Sequence, residues 1–330
     1  MIISRTPFRV SLFGGGSDFP NWYRNHGGSV IGTTIDKYCY ISVRHLPPFF
    51  GHKHRIVYRE TELVQSIKEI KHPSAKACME RFSSDEGHEI HHDGDLPARS
   101  GLGSSSSFTV GLINALQALK GHRINKEDLA LSAINIEQNV LKEAVGSQDQ
   151  VWASYGGFNR IDFGVDGKEF RVKPVFTSGD RLDYLNKHLL LFFTGQTRTA
   201  NDIEKDKISQ INENTLAYDK LRNMVGFAQE ILDNDMCDIK DIGLMMNESW
   251  QIKKGLSKNV SNTLMDSYYS AGLSAGALGG KLLGAGGGGF MLFFAPPHCH
   301  GAIKKKLKLI HVDFKFETEG SQIIVYEPDK

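Results

Sequence analysis

Residues Pro97-Ala98-Arg99-Ser100-Gly101-Leu102-Gly103-Ser104-Ser105-Ser106-Ser107 decide the reading of this chain. A helical pattern follows directly, because Phe108, Leu112, Ala115, Leu116 and Leu119 recur at the spacing of one helix face over Ser105 to Lys120. Three features therefore coincide. Glycines let a backbone approach a ligand closely, consecutive serines offer hydroxyls, and a helix start presents unpaired N–H groups at the positive end of its dipole. Together they predict an anion cradle suited to a triphosphate. A serine-capped helix after a glycine turn shares part of this pattern, and the leading proline and the four serines in a row set the present one apart. It is not a Walker A loop, since no Lys-Ser/Thr follows the last glycine, nor a GxSxG nucleophile elbow.

Working outward, Glu137 lies on the apolar stripe Leu129, Ala130, Ala133, Val140 and Leu141 of a helix expected over Lys126 to Lys142. A carboxylate there is costly unless it meets a cation or reaches solvent at the stripe's edge. The functional reading is a Mg²⁺ ligand, because Mg²⁺ beside phosphates takes one or two protein oxygens. Gly146-Ser147-Gln148-Asp149-Gln150 places an acid in a turn nearby. Near the other end, Gly284-Ala285-Gly286-Gly287-Gly288-Gly289 formally matches GxGxxG, yet a strand follows it instead of a helix, so the dinucleotide reading fails. So many glycines are too costly in backbone entropy for a plain turn, and close approach to a ligand or to the first glycine loop is expected. At the amino terminus, Arg5 to Asp18 is a strand carrying Arg9 that ends in Gly14-Gly15-Gly16-Ser17-Asp18. Three decoys are set aside. Asp162-Phe163-Gly164 lacks the other protein-kinase motifs; His91-His92-Asp93 and His298-Cys299-His300 lack partners at metal-ligand spacing.

The chain has 330 residues, 40% apolar and 23% charged, with a net charge of +1. That composition excludes a disordered or collagen-like chain, and the charge argues against a dedicated nucleic-acid or anionic-membrane binder. Four scattered cysteines read as reduced thiols, and no leader or membrane-length apolar run is visible, so a cytoplasmic protein is expected. Strands are predicted over Ile2 to Phe13, Val30 to Val43, Arg55 to Arg59, Tyr155 to Phe163, Phe170 to Val175, Leu189 to Phe193, Phe290 to Phe294, Val312 to Phe316 and Ile323 to Tyr326. Helices are predicted over Ala200 to Asp233, Ile239 to Lys254, Asn259 to Ala271 and Ala302 to Leu309, and Ser178-Gly179-Asp180 is the best break between halves.

Three glycine-rich motifs in this order resemble the GHMP small-molecule kinases, the superfamily of galactokinase, homoserine kinase, mevalonate kinase and phosphomevalonate kinase. Within it, the Gly-Gly-Gly-Ser-Asp opening resembles the D-glycero-D-manno-heptose 7-phosphate kinases. The resemblance implies an α+β fold of two domains, residues 1–178 like ribosomal protein S5 domain 2 and residues 179–330 ferredoxin-like. It implies ATP and Mg²⁺, with the nucleotide on Gly101, Leu102, Gly103, Ser104, Ser105 and Ser106 and the metal on Ser105 and Glu137. Asp149 falls at the catalytic aspartate, Arg9 at its basic partner, and Asp18 at the sugar-hydroxyl acid, with Gly15, Gly16, Gly286 and Gly287 also lining the substrate. Thr194-Gly195-Gln196-Thr197-Arg198 resembles a family stretch without an assigned role. Galactokinases carry Glu-His where Gly15-Gly16 stand, which removes hydroxyl partners, opens space and favours a bulkier sugar. The implied reaction is phosphorylation of the anomeric hydroxyl of heptose 7-phosphate to the 1,7-bisphosphate, for nucleotide-activated heptose and surface polysaccharide. A fucose-type or other monosaccharide 1-kinase and a non-enzymatic sugar sensor are the alternatives. Arg5, Arg24, Lys37 and Arg99 are candidates for the substrate's own phosphate. The expected partners are ATP and a small sugar phosphate, with homodimerisation left open and no nucleic acid or membrane.

Overall fold

The computed structural model describes residues 1–196 and 200–328. Two sheets organise them. The larger has nine strands among the described residues and is built on the antiparallel pair Ile2–Phe13 and Gly28–His45. The first of these reads as a long apolar run, and eight consecutive residues, Thr6 to Phe13, are buried on both faces. His88–Gly94, His54–Val57 and Thr61–Val64 extend this sheet on one side, and Phe158–Val165 with Lys168–Pro174 pair along the start of Gly28–His45. The second sheet orders Ile310–Val312, Leu189–Phe193, Phe290–Phe294 and Gly279–Leu282 as antiparallel neighbours. Their predicted strands Leu189–Phe193 and Phe290–Phe294 form with the expected bounds.

The division at residue 178 does not follow the sheets. Phe316–Glu317 and Gln322–Tyr326 return to the larger sheet, the latter pairing with Ile2 to Arg5. Ser178 is no linker but the N-cap of helix Gly179–His188, its hydroxyl accepting the Arg181 N–H. Leu189, Leu191, Phe290, Leu292 and Phe294 share one core cluster with Phe8, Val10 and Leu12. A composition break marks a helix cap as readily as a domain edge, and only long-range strand pairing tells them apart.

Helix Ser104–Leu119 packs on the two central strands, tied by the Ser4 hydroxyl donating to Gly111 O at 2.8 Å. The predicted helix Lys126 to Lys142 divides. Lys126–Ile134 is α-helical, and Asn135–Val140 is a π-turn in which Leu141 N–H reaches back to Ile136 O at 2.9 Å. The wider turn shifts the register, so Val140, expected on the apolar stripe, stands exposed while Glu137 stays fully buried.

Candidate active site

The phosphate loop is shaped by backbone that only glycine adopts readily. Gly103 has φ +78°, and a Cβ there would lie 3.2 Å from Arg9 Cγ and 3.3 Å from Asp149 Oδ2. Gly103 is also the N-cap of helix Ser104–Leu119, and no side chain caps that helix start. Its first N–H groups and dipole are therefore left for an anion. The glycine loop 284–289 closes against this segment: an added Cβ on Gly284 would sit 2.5 Å from Gly101 Cα. Phe290 N–H donates to Ser100 O at 3.1 Å.

Arg9 meets Asp149 across 140 residues. Nε donates to Oδ1 at 2.7 Å, Nη2 to Oδ2 at 2.6 Å, and Nη1 to Gly101 O at 2.6 Å. Arg9 N–H also donates to Leu102 O at 3.0 Å, so one arginine locks the phosphate loop and the acid together. This planar, two-point grip fixes the carboxylate's orientation as a lysine could not. Asp149 stands in the first turn of helix Gln148–Tyr155, with its side chain partly open.

Asp18 ends the glycine turn that follows strand Ile2–Phe13. Its Oδ1 accepts the Gly16 N–H at 2.8 Å, and Ser147 N–H donates to Asp18 O at 3.0 Å. Burial pushes its carboxyl up to about 6; the Gly16 N–H opposes this and the charges of Asp149 and Glu204 add to it. Beside Gly15 there is room for a Cβ, with Ser11 Oγ 3.8 Å and Gln148 Nε2 3.9 Å away. At Gly16 the expected space is filled: a Cβ would lie 2.9 Å from the Tyr218 ring.

Glu137 is fully buried behind the loop. Its Oε2 accepts the Ser106 hydroxyl at 2.9 Å and the Gln150 amide, while Oε1 has no partner. Burial pushes this carboxyl up to about 7, with Glu143 adding and the Thr109 hydroxyl, Ser106 and Gln150 opposing. The expected companion was Ser105, but Ser105 is exposed and Ser106 turns to Glu137. Adjacent helical residues point about 100° apart, and the first-turn geometry directs the second of the two inward. Ser104 Oγ instead accepts the Arg99 N–H at 3.1 Å.

Other expected groups lie apart. Gly286 and Gly287 turn toward the segment carrying Val260, whose carbonyl accepts the Gly287 N–H at 2.9 Å. Arg5 stacks over Tyr38, Lys37 pairs with Asp36, and Arg24 and Arg99 are exposed. Thr194 is bonded to Gly289 O, whereas Thr197 and Arg198 lie outside the described residues. Among the described residues no cluster of three or more His, Cys, Asp or Glu is placed to hold a metal. Asp162 is held by Ser29, Arg160 and Lys173.

Sequence reasoning missed Glu204, Lys207, Tyr218, Lys253 and Lys281, all of which the folded chain brings toward Arg9 and Asp18. Lysines on helices read as solvated groups. Only Lys281, directly before the third glycine cluster, carried a positional signal.

Residues 67–157 match the family described as GHMP kinases N terminal domain, and residues 235–307 match GHMP kinases C terminal. The chain belongs to the GHMP kinases. A kinase of this family is a phosphotransferase with an alcohol group as acceptor and ATP as donor. The D-glycero-alpha-D-manno-heptose 7-phosphate kinase of Campylobacter jejuni is 29% identical over 336 residues, covering 97% of each chain. A bifunctional fucokinase/GDP-fucose pyrophosphorylase of Arabidopsis thaliana is 26% identical over 88% of this kinase and 29% of its own length. A solved D-glycero-D-manno-heptose 1-phosphate kinase from Bacteroides thetaiotaomicron superposes with TM-score 0.79 at 22% identity, covering 99% of this kinase and 100% of that chain. The last similarity bears on the fold. No helix among the described residues is long and apolar enough to cross a membrane.

Proposed function

We propose that this kinase transfers the γ-phosphoryl group of ATP to the anomeric hydroxyl of D-glycero-D-manno-heptose 7-phosphate, giving the 1,7-bisphosphate. The observation that carries the reading is the Asp149 carboxylate, clamped by Arg9 at the edge of the phosphate loop. There an acceptor hydroxyl and a terminal phosphate can meet. The similarity to the Campylobacter enzyme along nearly the whole chain supports the heptose phosphate, as does the room beside Gly15.

The residues fit a Mg²⁺ ion. Glu137 Oε1 is a buried carboxylate oxygen without a partner, and serine hydroxyls surround the loop; a hard cation takes such oxygens. Glu137 would hold it, with Ser105 or Ser106 as the second protein oxygen. The chemistry such an ion supplies is neutralisation of charge across the β- and γ-phosphates. The chain's own contribution is mainly positioning. The loop N–H groups and helix dipole hold the triphosphate, and Asp18 accepts acceptor hydroxyls. Held in one orientation by two Arg9 hydrogen bonds, Asp149 acts chiefly by aligning the attacking hydroxyl and takes its proton late. That suits a loose phosphoryl-transfer transition state, which asks for alignment more than proton abstraction.

The test is an ADP-release screen across phosphorylated and free sugars, with the product's phosphate position read by ³¹P NMR. Turnover of heptose 7-phosphate with a new anomeric phosphate is the expected result. ADP release with free hexoses alone rejects it in favour of a fucose-type kinase. Sugar binding without any turnover rejects catalysis altogether.

A further inference from the structure

Four basic side chains beneath the site, Arg9, Lys207, Lys253 and Lys281, are each at least nine-tenths buried. Arg9 pairs with Asp149 and Lys207 with Glu204. Lys253 and Lys281 have no carboxylate partner among the described residues. Lys253 Nζ donates to Leu282 O at 3.2 Å and Gly284 O at 2.6 Å, and Lys281 Nζ donates to Leu12 O at 2.8 Å. An ammonium has three N–H donors, so one remains on Lys253 and two on Lys281. Burial lowers the Lys253 ammonium well below its usual range, and burial beside Arg9 and Lys207 brings Lys281 down to about 7. Burial thus favours the neutral amines, and an anion placed between them would restore their charge and take up the N–H donors that no carbonyl meets.

Location gives the anion's source. Lys207 lies 5.5 Å over the ring of Phe19, the residue after Asp18, and Lys281 grips Leu12 just before the Gly14 to Asp18 turn. Lys207 and Lys281 thus adjoin the Gly14 to Asp18 turn, whereas Lys253, bonded to Gly284 O, lies against the glycine loop that closes on Gly101. Nearby, the buried Tyr218 hydroxyl, Ser11 Oγ and Gln148 Oε1 all lack partners, which suits a polyhydroxylated ligand. The four basic candidates read from sequence are engaged elsewhere or exposed.

We propose that Lys207 and Lys281 form the recognition site for a phosphate already carried by the acceptor. The proposal rests on the sugar-phosphate reading above and assigns it specificity residues. Phosphate monoester is the chemistry recognised; ATP's terminal phosphate is the competing source.

The experiment compares the wild type with Lys207→Met, Lys281→Met and the charge-keeping Lys207→Arg. Removing one charge-assisted hydrogen bond from a buried phosphate lowers kcat/KM for the phosphorylated sugar by about tenfold to 100-fold. The expected result is that loss in Lys207→Met with the KM for ATP and kcat/KM for the unphosphorylated sugar unchanged, and substantial recovery in Lys207→Arg. An equal loss on both sugars, or a loss residing in the KM for ATP, overturns the proposal. Should Lys281→Met fail to fold, by its melting curve, Lys207→Met decides alone. Should the wild type phosphorylate no sugar phosphate, the functional reading falls and a second measurement judges the site. Inorganic phosphate then raises the wild-type melting temperature and not that of Lys207→Met; the same shift in both, or none in either, overturns it.

Discussion

Replacing Glu137 by glutamine separates the carboxylate's charge from its shape. The wild-type group is fully buried, and its pKa rises from an ordinary 4.5 to about 7. An acid whose folded pKa is raised stabilises the fold below its unfolded pKa and loses that contribution as pH climbs through the folded value. The window is therefore pH 4.5 to about 7. At 1.36 kcal/mol per tenfold change in proton affinity, the ionised wild type forgoes about 3 kcal/mol above pH 7 in the absence of metal. An amide carries no such charge. With an unfolding entropy of roughly 2.1 cal/mol/K per residue, that difference is about 4 °C in melting temperature. Melting both proteins without metal at pH 5 and pH 8 should show Glu137→Gln gaining about 4 °C relative to the wild type between the two pH values. Mg²⁺ with ADP at pH 8 should then stabilise the wild type clearly more than the variant, while turnover falls by about 10²-fold or more. A melting difference flat with pH, or equal stabilisation of both proteins by Mg²⁺-ADP, refutes the assignment of Glu137.

Asp149→Asn should keep ATP binding, measured by titration, and lower kcat by about 10²-fold or more; near-normal turnover removes Asp149 from its role. Gly103→Ala forces a side chain into left-handed backbone, costing about 1–2 kcal/mol, and presses on Arg9 Cγ and Asp149 Oδ2. Its kcat should fall by about 10²-fold, far more than its modest loss of melting temperature suggests; unimpaired kcat argues against tight alignment there. Asp18 accepts hydroxyl protons only when ionised, so kcat/KM for the acceptor should rise with pH through about 6. That limb should vanish in Asp18→Asn, and a limb that persists belongs to another group.

Legibility in the sequence followed the strength of local signals. Ile2–Phe13, Leu189–Phe193 and Phe290–Phe294 carry apolar runs that no other element explains, and they form as expected. Pro73–Phe82, a helix begun by His72, and His88–Gly94, a strand with three histidines, carry polar residues that hide their burial pattern. The π-turn at Asn135–Val140 interrupts the helical periodicity of Leu129 to Leu141, and no residue type marks it in the sequence.

The chain's own order of residues singled out the glycine-serine loop, the acids at positions 18, 137 and 149, and the arginine in the first strand. Those signals are local: glycine at positions of positive φ, serines at a helix start, charge within an apolar strand. Tertiary structure alone decided that Arg9 grips Asp149, that Ser106 and not Ser105 turns to Glu137, and that Lys207, Lys253 and Lys281, from two helices and a strand, come together beside Arg9. Each of these depends on contacts between residues far apart in sequence, whose energies are set by burial and geometry, and neither is written in the composition of any one segment.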